Sequence, residues 1–213
     1  MTTEELIADM SRTVRPVRRH AVAIRIAAGM ALGGVGTVLL ILAWLGINPD
    51  LGLAMRGYAF WMKWIYTISL ALCAVAATIH LARPDSRRVG WLWIMAVPAL
   101  LLAVIGLIEM AQAPSTQWLP MWLGVSWKSC SANVFLLSIP IFAGLLWSFR
   151  ELAPTRLRLA GATAGLAAGA WAATLYCLHC PEVSAIFVLT WYSLGIGLTA
   201  LLGSVIGPRL LRW

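Results

Sequence analysis

The sequence predicts an all-α membrane protein, a six-helix transmembrane bundle with both termini cytoplasmic. Three observations predict it. Of 213 residues, 61% are hydrophobic and 11% charged, more apolar surface than a water-soluble domain of this size can hide. Six apolar runs of roughly 19–25 residues match the length an α-helix needs to cross a hydrocarbon core of about 30 Å. Thirteen of the sixteen basic residues fall on one side of the resulting topology. That is the positive-inside signature, and the inverted topology would reverse it.

The chain divides into a cytoplasmic tail, 1–22, and a transmembrane domain, 23–213. In the tail, Thr2 and Glu5 form a capping box, and Leu6, Ile7 and Met10 make an apolar edge at helical spacing. Pro16 is expected to end that helix, leaving Val14–Arg19 extended before the membrane. A juxtamembrane basic stretch containing Arg15, Arg18 and Arg19 serves as an orientation signal or a lipid contact. The short amphipathic helix ahead of it suits docking into a groove on a partner protein.

The expected spans are Ile26–Leu45, Tyr58–Ala82, Trp91–Met110, Ser131–Phe149, Leu159–Leu178 and Ser184–Ile206. The first is longer than a signal-peptide core and follows acidic residues, so it is expected to stay in the mature protein. The cytoplasmic loops contain Arg83-Pro84-Asp85-Ser86-Arg87-Arg88 and Arg150–Pro154, too short for a soluble domain. Outside, Asn48-Pro49-Asp50 marks a turn, and a longer loop runs from Ala111 to Cys130. Trp44, Trp61, Trp64, Trp118, Trp122 and Trp127 read as an aromatic belt at that interface. The net charge of +8 is spread among loop ends, so topology explains it and direct nucleic-acid binding is not expected.

Gly161, Gly165 and Gly169 recur at spacing four on the fifth span, a small-xxx-small pattern that serves internal packing or homodimerisation. Lys63 and Glu109 lie near the outer ends of their spans, where side chains are expected to reach water. With few polar groups at mid-membrane, a transport path has little to line it.

The cysteines carry the chemistry. Cys73, within the second span, reads as a small buried hydrophobe, while Cys130, Cys177 and Cys180 gather towards the outer face. Cys130 stands at a helix N-terminus beside Lys128, which favours thiolate; Cys180, before Pro181, stands at a helix C-terminus, which opposes it. The expected order is therefore Cys130 as the reacting thiol and Cys180 as its resolving partner. A soft-metal site of Cys130 and Cys180 with His179 and Glu182 nearby is the other arrangement, and a static disulfide or independent buried thiols are also open. Cys177-Leu178-His179-Cys180 has C-x-x-C spacing, but at the helix end that does not acidify a thiol.

Several stretches together resemble a known family. They are Val14–Arg19, Asn48-Pro49-Asp50-Leu51, Trp127 with Cys130, and Leu136-Leu137-Ser138-Ile139-Pro140. Leu178-His179-Cys180-Pro181-Glu182, Trp191-Tyr192 and Arg209–Trp213 complete the set. They resemble the NrsF-type membrane anti-sigma factors along the whole chain. The resemblance implies a bacterial inner-membrane regulator, not an enzyme, whose tail holds an extracytoplasmic-function sigma factor. It implies that Cys130 and Cys180 sense oxidants or thiophilic metals and release that factor. No resident cofactor is expected beyond transient heavy-metal binding; the partners are the sigma factor and the lipid bilayer. Cys177 falls outside the pattern and competes with Cys180. Within the tail, Leu6, Ile7, Met10, Arg15, Arg18 and Arg19 are the expected contacts, from spacing and charge. A membrane thiol oxidoreductase using the same cysteines is the alternative, and a small transporter a more distant one.

Overall fold

The structure, a computed structural model, describes residues 2–13, 20–83, 90–149, 152 and 154–211. Among these residues there is no strand. Arg15, Arg18 and Arg19, like the loop arginines Arg87, Arg88, Arg150 and Arg212, lie outside them.

Helix α1 covers Thr3–Thr13 and carries the expected capping box: Thr2 N donates to Glu5 Oε2 at 2.7 Å, and Glu5 N to Thr2 Oγ1 at 3.3 Å. Two otherwise orphaned N–H groups are satisfied reciprocally, so a short helix can start in water. Leu6 and Ile7 stand 42% and 61% exposed on it. Met10 is in α1 as expected; its side chain lies outside the described atoms.

The apolar runs become helices as hydropathy requires. Helix α2, Ala21–Leu40, continues through a π turn, Ile41–Leu45; α3 is the short Leu51–Ala54, and α4 is Tyr58–Leu81. A 3₁₀ segment, Gly90–Met95, leads into α5, Ala96–Gln112. The stretch expected to be an irregular outer loop instead contains α6, Ser115–Leu123, followed by a sharp turn and α7, Trp127–Phe149. Helix α8 is Leu157–Tyr176. The last run bends through α9, Ala185–Phe187, and a π turn, Val188–Tyr192, into α10, Ser193–Leu210.

Among the described residues, five segments are long and apolar enough to cross a membrane: Ala21–Leu45, Tyr58–Leu81, Leu92–Gln112, Ser115–Phe149 and Ala185–Leu210. Helix α8, the expected fifth of six spans, is not among them. Its 20 residues are dominated by Ala, Gly and Thr, which carry little hydropathy. The reason is positional. It packs against α4, α7 and α10, with residues from Ala160 to Tyr176 buried, so it has little lipid to face.

Small residues let that centre close. An added Cβ at Gly161 would collide with the Gly203 carbonyl, at Gly165 with the Thr199 carbonyl, and at Gly169 with Ile196. The glycine ladder therefore packs inside the chain, against α10. A second seam joins α2 to α7, where Gly29 meets Gly144 and Ser148, and Gly33 meets Ile141. Hydroxyls stitch it: Ser148 Oγ donates to Arg25 O at 2.9 Å, and Thr37 Oγ1 to Leu137 O at 2.8 Å. Pro140, inside α7, lacks the N–H that would bond the Leu136 carbonyl and so interrupts the α7 ladder.

Candidate functional site

The site lies where α7 begins and α8 ends. Both ends need partners, because a helix terminus leaves N–H or C=O groups unsatisfied. Gly124, with φ +59°, turns the chain into α7. The first free N–H groups beyond it find a carboxylate from the other terminus: Glu182 Oε1 accepts from Val125 N at 2.8 Å and Ser126 N at 2.8 Å, and from Ser126 Oγ at 2.9 Å. Negative charge at a helix N-terminus is favourable in itself. Gly124 is also required for space, since a Cβ there would lie 2.5 Å from Glu182 Oε2.

Helix α8 closes with His179 N and Cys180 N both donating to Tyr176 O at 3.0 Å, and Pro181 prevents continuation. The extended turn that follows leaves carbonyls facing inward. Lys63, from α4, satisfies them: Nζ donates to Cys180 O at 3.0 Å and to Glu182 O at 2.6 Å. Lys63 is only 3% exposed, so it does not reach water as its position near a span end suggests. The carbonyls of the Cys180–Glu182 turn take the place of solvent.

These contacts bring Cys130 and Cys180 together. Cys130, 0% exposed, is in the first turn of α7; Cys180, 2% exposed, is on the turn after α8. Both are free thiols, as are Cys73 and Cys177. The Cys180 thiol is held below its ordinary value, chiefly by the neighbouring Cys130 thiol. Tyr192, the Lys63 ammonium and the Glu182 backbone act in the same direction, while burial opposes them. The dipole of α7 alone favours a thiolate on Cys130, whereas the Cys130 thiol and the Lys63 ammonium lower the Cys180 thiol despite its place at a helix C-terminus.

Ser126 Oγ stands 3.9 Å from Cys180 Sγ. Tyr192 is fully buried on the π turn, and its hydroxyl has no conventional hydrogen-bond partner although it faces Cys180 closely enough to favour the thiolate. π turns inside helices frequently mark functional sites. Tyr176, its ring 5.7 Å from that of Tyr192, accepts from Asn133 Nδ2 at 3.3 Å. Cys177 Sγ donates back to Ala173 O at 3.3 Å, which ties that thiol to its own helix.

The four-residue metal arrangement does not assemble. His179 Nδ1 bonds Gly46 O at 3.0 Å, so the ring nitrogen there carries the proton, and Glu182 is committed to the start of α7. Among the described residues no group of three or more His, Cys, Asp or Glu side chains converges. The two sulfurs are what a soft ion would find together.

The Asn48-Pro49-Asp50 turn joins the same site. Asn48 N donates to Leu178 O at 3.0 Å, beside the His179–Gly46 bond, and Asp50 N donates to Asn48 Oδ1 at 3.0 Å. Of the tryptophans expected as a belt, Trp44, Trp61, Trp118 and Trp122 are exposed and Trp64 and Trp127 half-buried; Trp122 and Trp127 both lie against Trp191, with ring centroids 5.6 Å and 5.5 Å away. Glu109 accepts from Ala185 N at 2.8 Å and from the Tyr58 hydroxyl, capping the start of α9.

Cys130 and Cys180 are visible in the sequence as candidates; the groups around them are less so. Lys63 carried the signal that should have found it: an ionisable group inside an apolar span is a functional candidate by default. Ser126, Asn133, Tyr176 and Tyr192 carry no comparable signal, because only the fold brings them to the sulfurs.

Comparison with known proteins gives the family. The family described as "Negative regulator of sigma F" matches residues 10–213. The chain is 43% identical over 219 residues to the anti-sigma-F factor NrsF of Caulobacter vibrioides, covering all of both chains. It is 39% identical over 214 residues to the probable anti-sigma-F factor NrsF of Azospira oryzae, again covering all of both. No solved structure matches the chain. The residues that frame Cys130 and Cys180, and all of the spans, fall inside the matched region, and the chain belongs to the NrsF family of negative regulators of sigma F.

Proposed function

We propose that this protein is an inner-membrane anti-sigma factor. It holds an extracytoplasmic-function sigma factor through residues 1–22 and releases it when Cys130 and Cys180 are oxidised or bind a thiophilic metal. The observation that carries the sensing half is the placing of two buried free thiols at the start of α7 and on the turn after α8, with Cys180 held below its ordinary value by its neighbours. Two thiols on different elements can form a disulfide or grip a soft ion between two sulfurs. The holding half rests on α1, a capped helix showing Leu6 and Ile7 to solvent, with Met10, Arg15, Arg18 and Arg19 as the remaining contacts. The names of the two relatives point to the same class of partner.

The topology belongs to this reading. Helix α8 crosses with the other five because spans surround it, giving six passes with both ends in the cytoplasm and the thiols on the opposite face. Forming or breaking a bond between α7 and the turn after α8 changes how these helices pack, and a ligand acts by favouring one packing over another. α2 follows α7 through the Gly29–Gly144 seam and leads back towards the tail.

Affinity purification from reduced membranes, with and without residues 1–22, tests the holding half. A sigma factor recovered only with the tail supports it; none in either sample turns the reading towards a thiol oxidoreductase. Cys130→Ser and Cys180→Ser test the sensing half, which fails if release by oxidant or metal is unchanged in both.

A further inference from the structure

Lys63 is the unexplained charge in this molecule. A buried ammonium costs several kcal/mol of desolvation, and a side chain that only filled space on α4 would be apolar. Among the described residues no carboxylate pairs with it; Glu182, the nearest acidic residue in sequence to its bonded carbonyls, turns its carboxylate to α7 instead. Both Lys63 bonds go to the three-residue turn that carries Cys180. That turn is gripped twice, from α4 through its backbone and from α7 through the Glu182 side chain.

We propose that Lys63 and Glu182 are positioning residues of the thiol pair: together they clasp the Cys180–Glu182 turn so that Cys180 is held against Cys130. This rests on the reading that bonding between the two thiols is the signal. When the pair closes, the S–S bond forms as both S–H bonds break, and two electrons and two protons pass to a two-electron oxidant. Closure from a held geometry is fast because orientation is already fixed, and a displacement of about 1 Å can slow such a step by roughly a hundredfold. Lys63 is placed to hold one sulfur's backbone, and Glu182 to fix the separation between the two elements.

The test uses the full chain in lipid nanodiscs with Cys73→Ser and Cys177→Ser, leaving only the pair. Closure is driven by excess diamide, which takes up the two electrons and two protons to become the hydrazine, and is timed by mass-tagging the remaining thiols. Lys63→Met and Glu182→Gln are each expected to slow closure about tenfold or more. Gly165→Ala serves as the comparator: it strains the α8–α10 seam and lowers Tm, and it is expected to leave the closure rate unchanged. Parental rates in both variants overturn the proposal, as does equal slowing in the comparator, which would make the effect one of general stability. If Lys63→Met does not assemble, Glu182→Gln decides alone. A parental pair that never closes overturns both this role and redox sensing. A pair that closes without releasing a sigma factor overturns only the proposed function, and the variant rates still decide the clasp.

Discussion

Glu182 and Ser126 are bound to each other twice, between the turn after α8 and the start of α7. Glu182 Oε1 accepts from the Ser126 backbone N–H and from its hydroxyl, and the neighbouring Val125 N–H shares the same oxygen. The carboxylate does the work of an N-cap although it comes from the far side of α8. Capping groups contribute about 1 kcal/mol, and a charge at a helix N-terminus adds roughly 0.3–2 kcal/mol. Glu182→Ala should therefore destabilise the protein by about 2 kcal/mol, and Glu182→Gln by about half as much. Thermal unfolding in detergent reads both; an unchanged Tm for Glu182→Ala would show that the start of α7 finds other partners.

The thiols should differ in reactivity. With the thiolate favoured on Cys180, a limiting dose of small maleimide is expected to label Cys180 ahead of Cys130. Peptide mass spectrometry after quenching gives the order, and Cys130 labelled first would return the thiolate to the helix N-terminus.

Glycine substitutions should split by seam. Gly165 faces the Thr199 carbonyl, so Gly165→Ala is expected to cost about 1–3 kcal/mol through overpacking. Gly197 has open space around its Cα within the helical α10, so Gly197→Ala should stabilise by about 0.5–1 kcal/mol. Equal Tm shifts in the two variants would contradict the packing.

The tail should lose its partner without disturbing the bundle. Leu6→Asp combined with Ile7→Asp removes the exposed apolar pair of α1 and is expected to weaken sigma-factor binding at least about tenfold. Binding by the purified full chain measures it, and a parental affinity would move the contact to other residues.

The legible part of this protein was what depends on composition along a single segment. The lipid-facing spans announce themselves by hydropathy, and Thr2 with Glu5 announces a capped helix. Helix α8 was legible as a helix but carries the weakest hydropathy, because a helix surrounded by protein needs small residues more than apolar ones. Cys130 and Cys180 are legible as candidates from residue type and topology. What surrounds Cys180 is not, because the dipole of one helix is a local property, whereas Lys63 and the Cys130 thiol reach Cys180 only through tertiary structure. Lys63 shows the same limit: position along α4 suggested water, and the fold supplied two carbonyls. Likewise His179 and Glu182 looked like metal ligands by proximity in sequence, while the fold gives each a backbone partner.

The bonds from Asn48 N to Leu178 O and from His179 to Gly46 O fasten two turns that lie far apart along the chain. Their geometry is set by Gly46, at φ +74°, on one side and by Pro181 on the other. The two turns therefore form one unit of exchange. A hybrid that takes its first hairpin from one relative and its remaining helices from another must keep residues 46–50 and 178–182 from the same parent, or the interlock between them is remade from mismatched halves.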